Sequence, residues 1–263
     1  MELSVNGKKT YVYTGGKGFD AALPTVVFCH GAQCDHSVWI LQSRYLAHHG
    51  YGVLALDLPG HGRSGGPALA KVEDLADWVV AALDAVKVRQ AAIVGHSMGS
   101  LIALECAARH PARVTKIAAL ATAYPMKVSP ELLKATKEDE PRAQDMVNIW
   151  SHLAYAQFPN NPGPGFWVIG ENLRLMQRQK AGVMHVDFAA CNAYAGGAAA
   201  AAKVTCPALF VIARRDAMTP ARSAQAFAQS VKGAHIAMIE GSGHNMMGEK
   251  PDEVLDALVA FLK

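Results

Sequence analysis

Residues 91–109 read Ala91-Ala92-Ile93-Val94-Gly95-His96-Ser97-Met98-Gly99-Ser100-Leu101-Ile102-Ala103-Leu104-Glu105-Cys106-Ala107-Ala108-Arg109, and their reading decides the fold. Ala91–Val94 is a short apolar run, as in a buried strand, and Met98–Arg109 carries a helical pattern. Between them stands G-x-S-x-G. A strand that turns directly into a helix bends sharply enough to strain the backbone of the residue at the corner, and the flanking glycines avoid the clashes of that bend. The hydroxyl of Ser97 is then held at the carboxyl edge of a sheet. It also lies at a helix N-terminus, where unpaired N–H groups favour developing negative charge. Ser97 is therefore the candidate nucleophile.

Outward from this corner, apolar runs alternate with helical patterns. Strands are expected at Thr10–Tyr13, Thr25–Cys29, Gly52–Asp57, Ala91–Val94, Thr115–Leu120, Ala208–Ala213 and His235–Glu240. Helices are expected at Val38–His49, Val72–Val86, Met98–Arg109, Pro220–Val231 and Asp252–Leu262. In the second of these, Leu75, Val79, Ala82, Leu83 and Val86 share one face. Strands apolar on both sides, alternating with helices, predict a doubly wound α/β sheet. The alternation stops between Tyr124 and Lys203. There the patterns are helical only (Pro130–Glu138, Arg142–Ala154, Trp167–Lys180, Val186–Ala195), divided by the Pro/Gly-rich stretch Pro159–Gly165, with Ala198–Ala202 reading as a helix end or linker. Such a segment cannot continue a sheet and is expected to cap one end of it. The domain division is 1–123 and 204–263 for the core and 124–203 for the cap. The cap is rich in large adaptable residues, including Met146, Phe158, Phe166, Met176, Met184 and Phe188. Apolar side chains line most small-molecule pockets, and Met126, Trp150, Trp167 and Met218 are the candidates for this one.

A serine hydroxyl needs a base, and the base needs an acid to hold its tautomer. Of the eleven histidines, His244 lies in Glu240-Gly241-Ser242-Gly243-His244-Asn245, a Gly-rich loop after the last strand. His30 ends a strand before the serine, in a loop suited to another role, and His96 points away from its neighbour Ser97. Asp216 follows the strand ending at Ala213 and precedes Thr219-Pro220; the loop Ala121-Thr122-Ala123-Tyr124, a rival place for the acid, holds no carboxylate. His30-Gly31-Ala32 is expected to form an oxyanion hole, with backbone N–H groups of Met98 and of Ala32, or of its neighbour Gln33, as donors.

The rest of the composition narrows the classes. The chain has 263 residues, 51% hydrophobic and 18% charged, with a net charge of +3, enough apolar material for a packed core and no basic cluster for nucleic acid. No apolar run reaches the length of a membrane span, and no signal peptide is evident. The five cysteines, Cys29, Cys34, Cys106, Cys191 and Cys206, read as reduced thiols of a cytoplasmic protein. Gly60-His61-Gly62-Arg63-Ser64-Gly65 matches G-x-G-x-x-G, yet Pro59 parts it from its strand and Gly66-Pro67 follows where a dinucleotide site would open a helix. No cluster has metal-ligand spacing. Neither a cofactor nor a metal is expected, and the protein is expected to be a monomer or homodimer.

In chain order, His30-Gly31, Asp57-Leu58-Pro59-Gly60-His61-Gly62-Arg63-Ser64, Gly95–Gly99, Asp216 and His244 resemble the α/β-hydrolase superfamily along essentially the whole chain. The resemblance implies an eight-stranded, mostly parallel sheet flanked by helices, with a helical lid inserted after the sixth strand, and it makes Asp57–Ser64 a structural turn. A serine at position 97 sets the chain apart from haloalkane dehalogenases and epoxide hydrolases, which use an aspartate there. The leading expectation is a carboxylesterase-type hydrolase acting on small, mainly apolar esters. C–C bond (meta-cleavage product) hydrolysis, where Ser100 departs from an expected second glycine, perhydrolase or lactonase chemistry, and a slow-turnover ligand receptor are the alternatives.

Overall fold

In the computed structural model, which describes residues 1–154 and 167–263, Asn6 (φ 49°) and Gly7 (φ 73°) turn the chain between β1 (Glu2–Val5) and β2 (Lys8–Tyr13). Two successive positive φ angles suit the twist of an antiparallel pair. β1 is absent from the seven strands that apolar runs predict because Val5 is its one buried residue. The chain continues through β3 (Thr25–Cys29), a 3-10 turn at His36–Trp39, α1 (Ile40–His48), β4 (Gly52–Leu56), α2 (Val72–Ala85), β5 (Ala91–His96), α3 (Met98–Arg109) and β6 (Val114–Leu120). The helical insertion holds α4 (Pro130–Glu138), α5 (Glu140–Ser151), α6 (Val168–Gln177) and α7 (Val183–Ala193). Then come α8 (Gly197–Lys203), β7 (Ala208–Ala213), α9 (Ala221–Gln229), β8 (His235–Ile239), α10 (Met246–Glu249) and α11 (Pro251–Leu262).

The eight strands form one sheet in the order β1-β2-β4-β3-β5-β6-β7-β8, parallel from β4 onward and antiparallel at β1–β2 and β2–β4. β3 lies between β4 and β5, so the chain leaves β3 toward one edge and returns to build the other. That reversal opens a crevice at the carboxyl ends of β3 and β5, the usual place for a ligand in such a sheet. Along each central strand, alternate residues enter different cores. Val27, Leu54, Ile93, Ile117 and Phe210 face α2, α3, α8 and α9, while Val26, Val53, Val94, Leu120 and Val211 face α1 and α11. Both faces of the central strands are thus dry, which is why those strands read as continuous apolar runs.

The insertion has its own apolar cluster, formed by Leu132, Ala143, Val147, Met176, Met184 and Phe188, and Ala32 and Met218 press against it from the core. Ser129 caps α4 by accepting the Leu132 N–H. Met126, expected at the pocket, is instead buried in the main core. The Ala-rich stretch 198–202 lies inside α8, within the range expected for the cap, yet its Ala200 and Ala201 pack into the main core beside α3. Phe158, Phe166 and the stretch Pro159–Gly165 lie outside the described residues. All five cysteines are unbridged, and no helix among the described residues is long and apolar enough to cross a membrane.

Polar ties bind cap to core. Arg178, just beyond α6, holds the buried Asp35 carboxylate with Nε at 2.9 Å and Nη2 at 2.6–2.8 Å, and Gln179 Nε2 adds a bond at 3.0 Å. Burial by itself would raise the Asp35 pKa, but the hydrogen bonds from Ser37 and the Arg178 guanidinium outweigh it and bring it down to about 2. The stability this carboxylate contributes is present above its unfolded value of about 3.9 and is lost as pH falls toward about 2. Asp35→Asn is expected to destabilise the protein at neutral pH by about 1–3 kcal/mol. In thermal melts the gap between wild type and variant should narrow between pH 4 and pH 2; a gap constant across that range would contradict the assignment.

Candidate active site

Ser97 sits between β5 and α3 with φ 53° and ψ −117°, a conformation that non-glycine residues rarely hold without support. Its N–H donates to Leu120 O on β6 at 2.9 Å, and its carbonyl accepts the Ser100 N–H at 2.9 Å. The glycines on either side are required by contact as well as by the turn. A Cβ on Gly95 would overlap the Gly99 carbonyl, and one on Gly99 would overlap the carbonyls of Cys29 and His30. The start of α3 is thereby drawn against the end of β3. Gly31 completes the approach, since a Cβ there would lie 3.3 Å from Ser97 Cβ.

Asp216 and His244 follow β7 and β8. His244 Nδ1 donates to Asp216 Oδ2 at 2.8 Å, and both side chains are buried. The other carboxylate oxygen, Oδ1, accepts the N–H groups of Met218 and Thr219 at 2.8 Å each, and Thr219 Oγ1 donates to Oδ2 at 2.6 Å. Burial opposes ionisation of Asp216, but the His244 ring and the Thr219 bonds prevail and hold its carboxyl below the usual range. Asp216 is charged at neutral pH and can hold the His244 ring with its proton on Nδ1, which leaves the Nε2 lone pair free. Ser97, His244, Gly31, Ala32 and Met218 line one small cavity.

The rival histidines are spoken for. His30 Nδ1 donates to Gly31 O at 2.8 Å, its Nε2 accepts the Leu58 N–H at 3.1 Å, and burial brings its pKa down to about 4. His96 Nε2 donates to His244 O at 2.9 Å, and burial brings it to about 3. Both are neutral props. Of the two loop amides left open by the sequence, Gln33 N–H is taken by Asp187 Oδ2 at 2.8 Å, while Ala32 borders the cavity. Met98 opens α3, so its N–H belongs to the first turn, which has no partner earlier in the helix.

The aromatic pocket candidates stand elsewhere. Trp167 is 64% exposed and Trp150 37% exposed, and neither they nor Met126 borders the cavity. Its cap side is made by Val147, Ser151, Asn172, Met176 and Phe188. Met176 and Phe188 stood out in sequence as large apolar cap residues; Ser151 and Asn172 carry no signal without the helix rotation. Asp35, His36 and Asp57 bring ligand-type atoms within 4.8 Å of one another, but the Asp57 carboxylate accepts the His36 ring, the His36 N–H and the Arg63 N–H, and Asp35 is held by Arg178. These donors are committed to hydrogen bonds within the fold. The Gly60–Gly65 loop is likewise a bend: a Cβ on Gly62 would overlap the Asp57 carboxylate, and the next helix, α2, starts only at Val72.

The family model described as "Alpha/beta hydrolase family" matches residues 26–257, from β3 into α11. The chain belongs to the alpha/beta hydrolase family. Over its full length this alpha/beta hydrolase is 24% identical to the (E)-2-((N-methylformamido)methylene)succinate hydrolase of Acinetobacter baylyi, covering 97% of that protein. It is 29% identical over 253 residues to a non-heme chloroperoxidase of Streptomyces lividans, covering 90% of this chain and 91% of the other. Among solved structures, an N-acyl homoserine lactone degrading enzyme superposes with a TM-score of 0.83 at 25% identity, with 99% of this chain and 100% of that one covered. The enol-lactonase of Burkholderia xenovorans superposes with a TM-score of 0.87 at 24% identity, over 100% and 99% of the two chains, and shares the fold.

The contact at Gly99 makes a direct test of this corner. Gly99→Ala is expected to destabilise the alpha/beta hydrolase by about 3–5 kcal/mol, a fall in Tm of roughly 10 °C. Differential scanning calorimetry would measure it, and a Tm within 2 °C of wild type would show that the approach of α3 to β3 is looser than described.

Proposed function

We propose that this hydrolase cleaves carboxylic esters of small, mainly apolar molecules through an acyl-enzyme. The observation that carries the reading is the buried Asp216–His244 pair set behind a cavity that the strained Ser97 also lines. In this reading Ser97 Oγ attacks the ester carbonyl as His244 Nε2 takes its proton. Asp216 stabilises the imidazolium so formed. The Ala32 and Met98 N–H groups receive the oxyanion. His244 then protonates the departing alkoxide, activates a water to attack the acyl-enzyme, and returns the proton to Ser97 as the carboxylic acid leaves.

Cavity dimensions support a short group at the serine. The space beside Ser97 is about 40 Å³, room for a few atoms. It shares Val38, Asn172, Asn245 and Met247 with a groove of about 970 Å³ between α6, the start of α1 and the start of α11. The acyl group occupies the small space and the alcohol extends along the groove. Lactones present the same carbonyl, and the names of two structural neighbours place them in the test panel.

With nitrophenyl esters, kcat/KM is expected to fall at least about tenfold from acetate to octanoate, in keeping with about 1–3 kcal/mol per misfitted group. Ser97→Ala is expected to lose about 10⁶ in kcat and Asp216→Asn about 10⁴. Equal turnover by wild type and Ser97→Ala would end this reading; a rate that rises with acyl length would reverse the assignment of the two spaces.

A further inference from the structure

The loop that carries Ala32 is gripped by the cap, and one buried carboxylate makes the joint. Asp187 lies on α7 and is 1% exposed. Its Oδ2 accepts the Gln33 N–H at 2.8 Å and faces His61 Nε2 at 2.8 Å. The other ring nitrogen of His61 faces Pro59 O at 3.0 Å. Both nitrogens of His61 therefore meet acceptors, an arrangement that an imidazolium satisfies in full. The middle of α7 thus meets the bend that follows β4 in a buried ion pair.

Gln33 is the residue directly after the Ala32 amide. It holds φ 56° with no exposed surface, a conformation that persists only where its surroundings over-determine it. Those surroundings are largely cap groups. Its N–H goes to Asp187, and its side-chain Nε2 donates to Met176 O and to Glu140 Oε1, each at 3.1 Å. On the other side of Ala32 the Gly31 carbonyl accepts His30 Nδ1 and the Cys34 N–H, which anchors the carbonyl end of the peptide that carries the Ala32 N–H. The Ala32 N–H thus lies between an anchor in the core and one in the cap.

We propose that Asp187 is a positioning residue: from the cap it holds Gln33 and so aims the Ala32 N–H at the reacting carbonyl, which ties the rate constant of the reaction to the seating of the cap. This rests on the ester-hydrolase reading above. Loss of a whole oxyanion donor lowers kcat by about 10²–10³, so a donor left poorly aimed falls short of the full loss.

The test uses the full chain, with active sites counted by a fluorophosphonate that labels Ser97. Asp187→Ala is expected to lower kcat per labelled site about 30–100-fold, with KM within about threefold. Asp187→Asn keeps one acceptor for the Gln33 N–H and is expected to recover part of this, with a loss nearer tenfold. Tyr194→Phe, which breaks the Tyr194–Glu105 bond at the far end of α7, serves as the stability control and is expected to lower Tm and leave kcat per site unchanged. If Asp187→Ala does not fold, Asp187→Asn carries the measurement. Wild-type kcat per site in the Asp187 variants, or a loss confined to KM, overturns the positioning role while leaving the ester reading intact. A wild type that neither takes the label at Ser97 nor turns over an ester overturns both.

Discussion

A serine at φ 53° keeps that backbone only where its neighbours leave it no alternative, and here the constraint is the close approach of three main-chain segments. The end of β5, the start of α3 and the end of β3 come together at Gly95, Gly99 and Gly31, where a single added carbon would meet backbone or ring atoms. Everything else at the site is referred to that contact. It places the first turn of α3 beside the loop after β3, and the reversal of strand order between β3 and β5 leaves the crevice above it open. Asp216 and His244 reach the same place from β7 and β8 along the other half of the sheet.

The electrostatics follow the same economy of arrangement. Four histidines crowd the crevice, yet two of them, His30 and His96, are pushed toward neutrality by burial and spend both or one of their nitrogens on backbone groups. His61 is the opposite case: burial disfavours its charge, but Asp187 more than compensates and raises its pKa. His244 alone combines a carboxylate behind one nitrogen with a place on the cavity wall. Identical side chains thus do different work because their partners differ.

Much of this was readable from residues. Strands buried on both faces announce themselves as apolar runs, so β3 and β7 match their expected limits, as does α3. Asp216 and His244 could be chosen because each sits in the loop after such a run. β1 escaped because an edge strand buries little; the Asn6-Gly7 turn was its available signal. The cap pocket escaped for another reason. Trp150 and Trp167 have the side chains a pocket favours, but which way a helix turns depends on packing between helices, and packing placed Val147 and Met176 inward instead. Asp187 was invisible for the same cause: its partners, Gln33 and His61, are remote in sequence.

The grip on the loop at residues 33–37 has a consequence for how the chain comes together during synthesis. Gln33 and Asp35 emerge early, but the groups that hold them are Asp187, Met176, Arg178 and Gln179, which leave the ribosome only after β6 and most of the cap have been made. A strained, fully buried residue cannot settle before its partners exist. The loop after β3 is therefore completed late, after the sheet it grows from, and Asp216 and His244 come later still. A chain interrupted before the cap would present β3 through β6 with the cavity beside Ser97 unwalled, since Met176, Phe188, Met218 and His244 arrive only with the last third of the polypeptide.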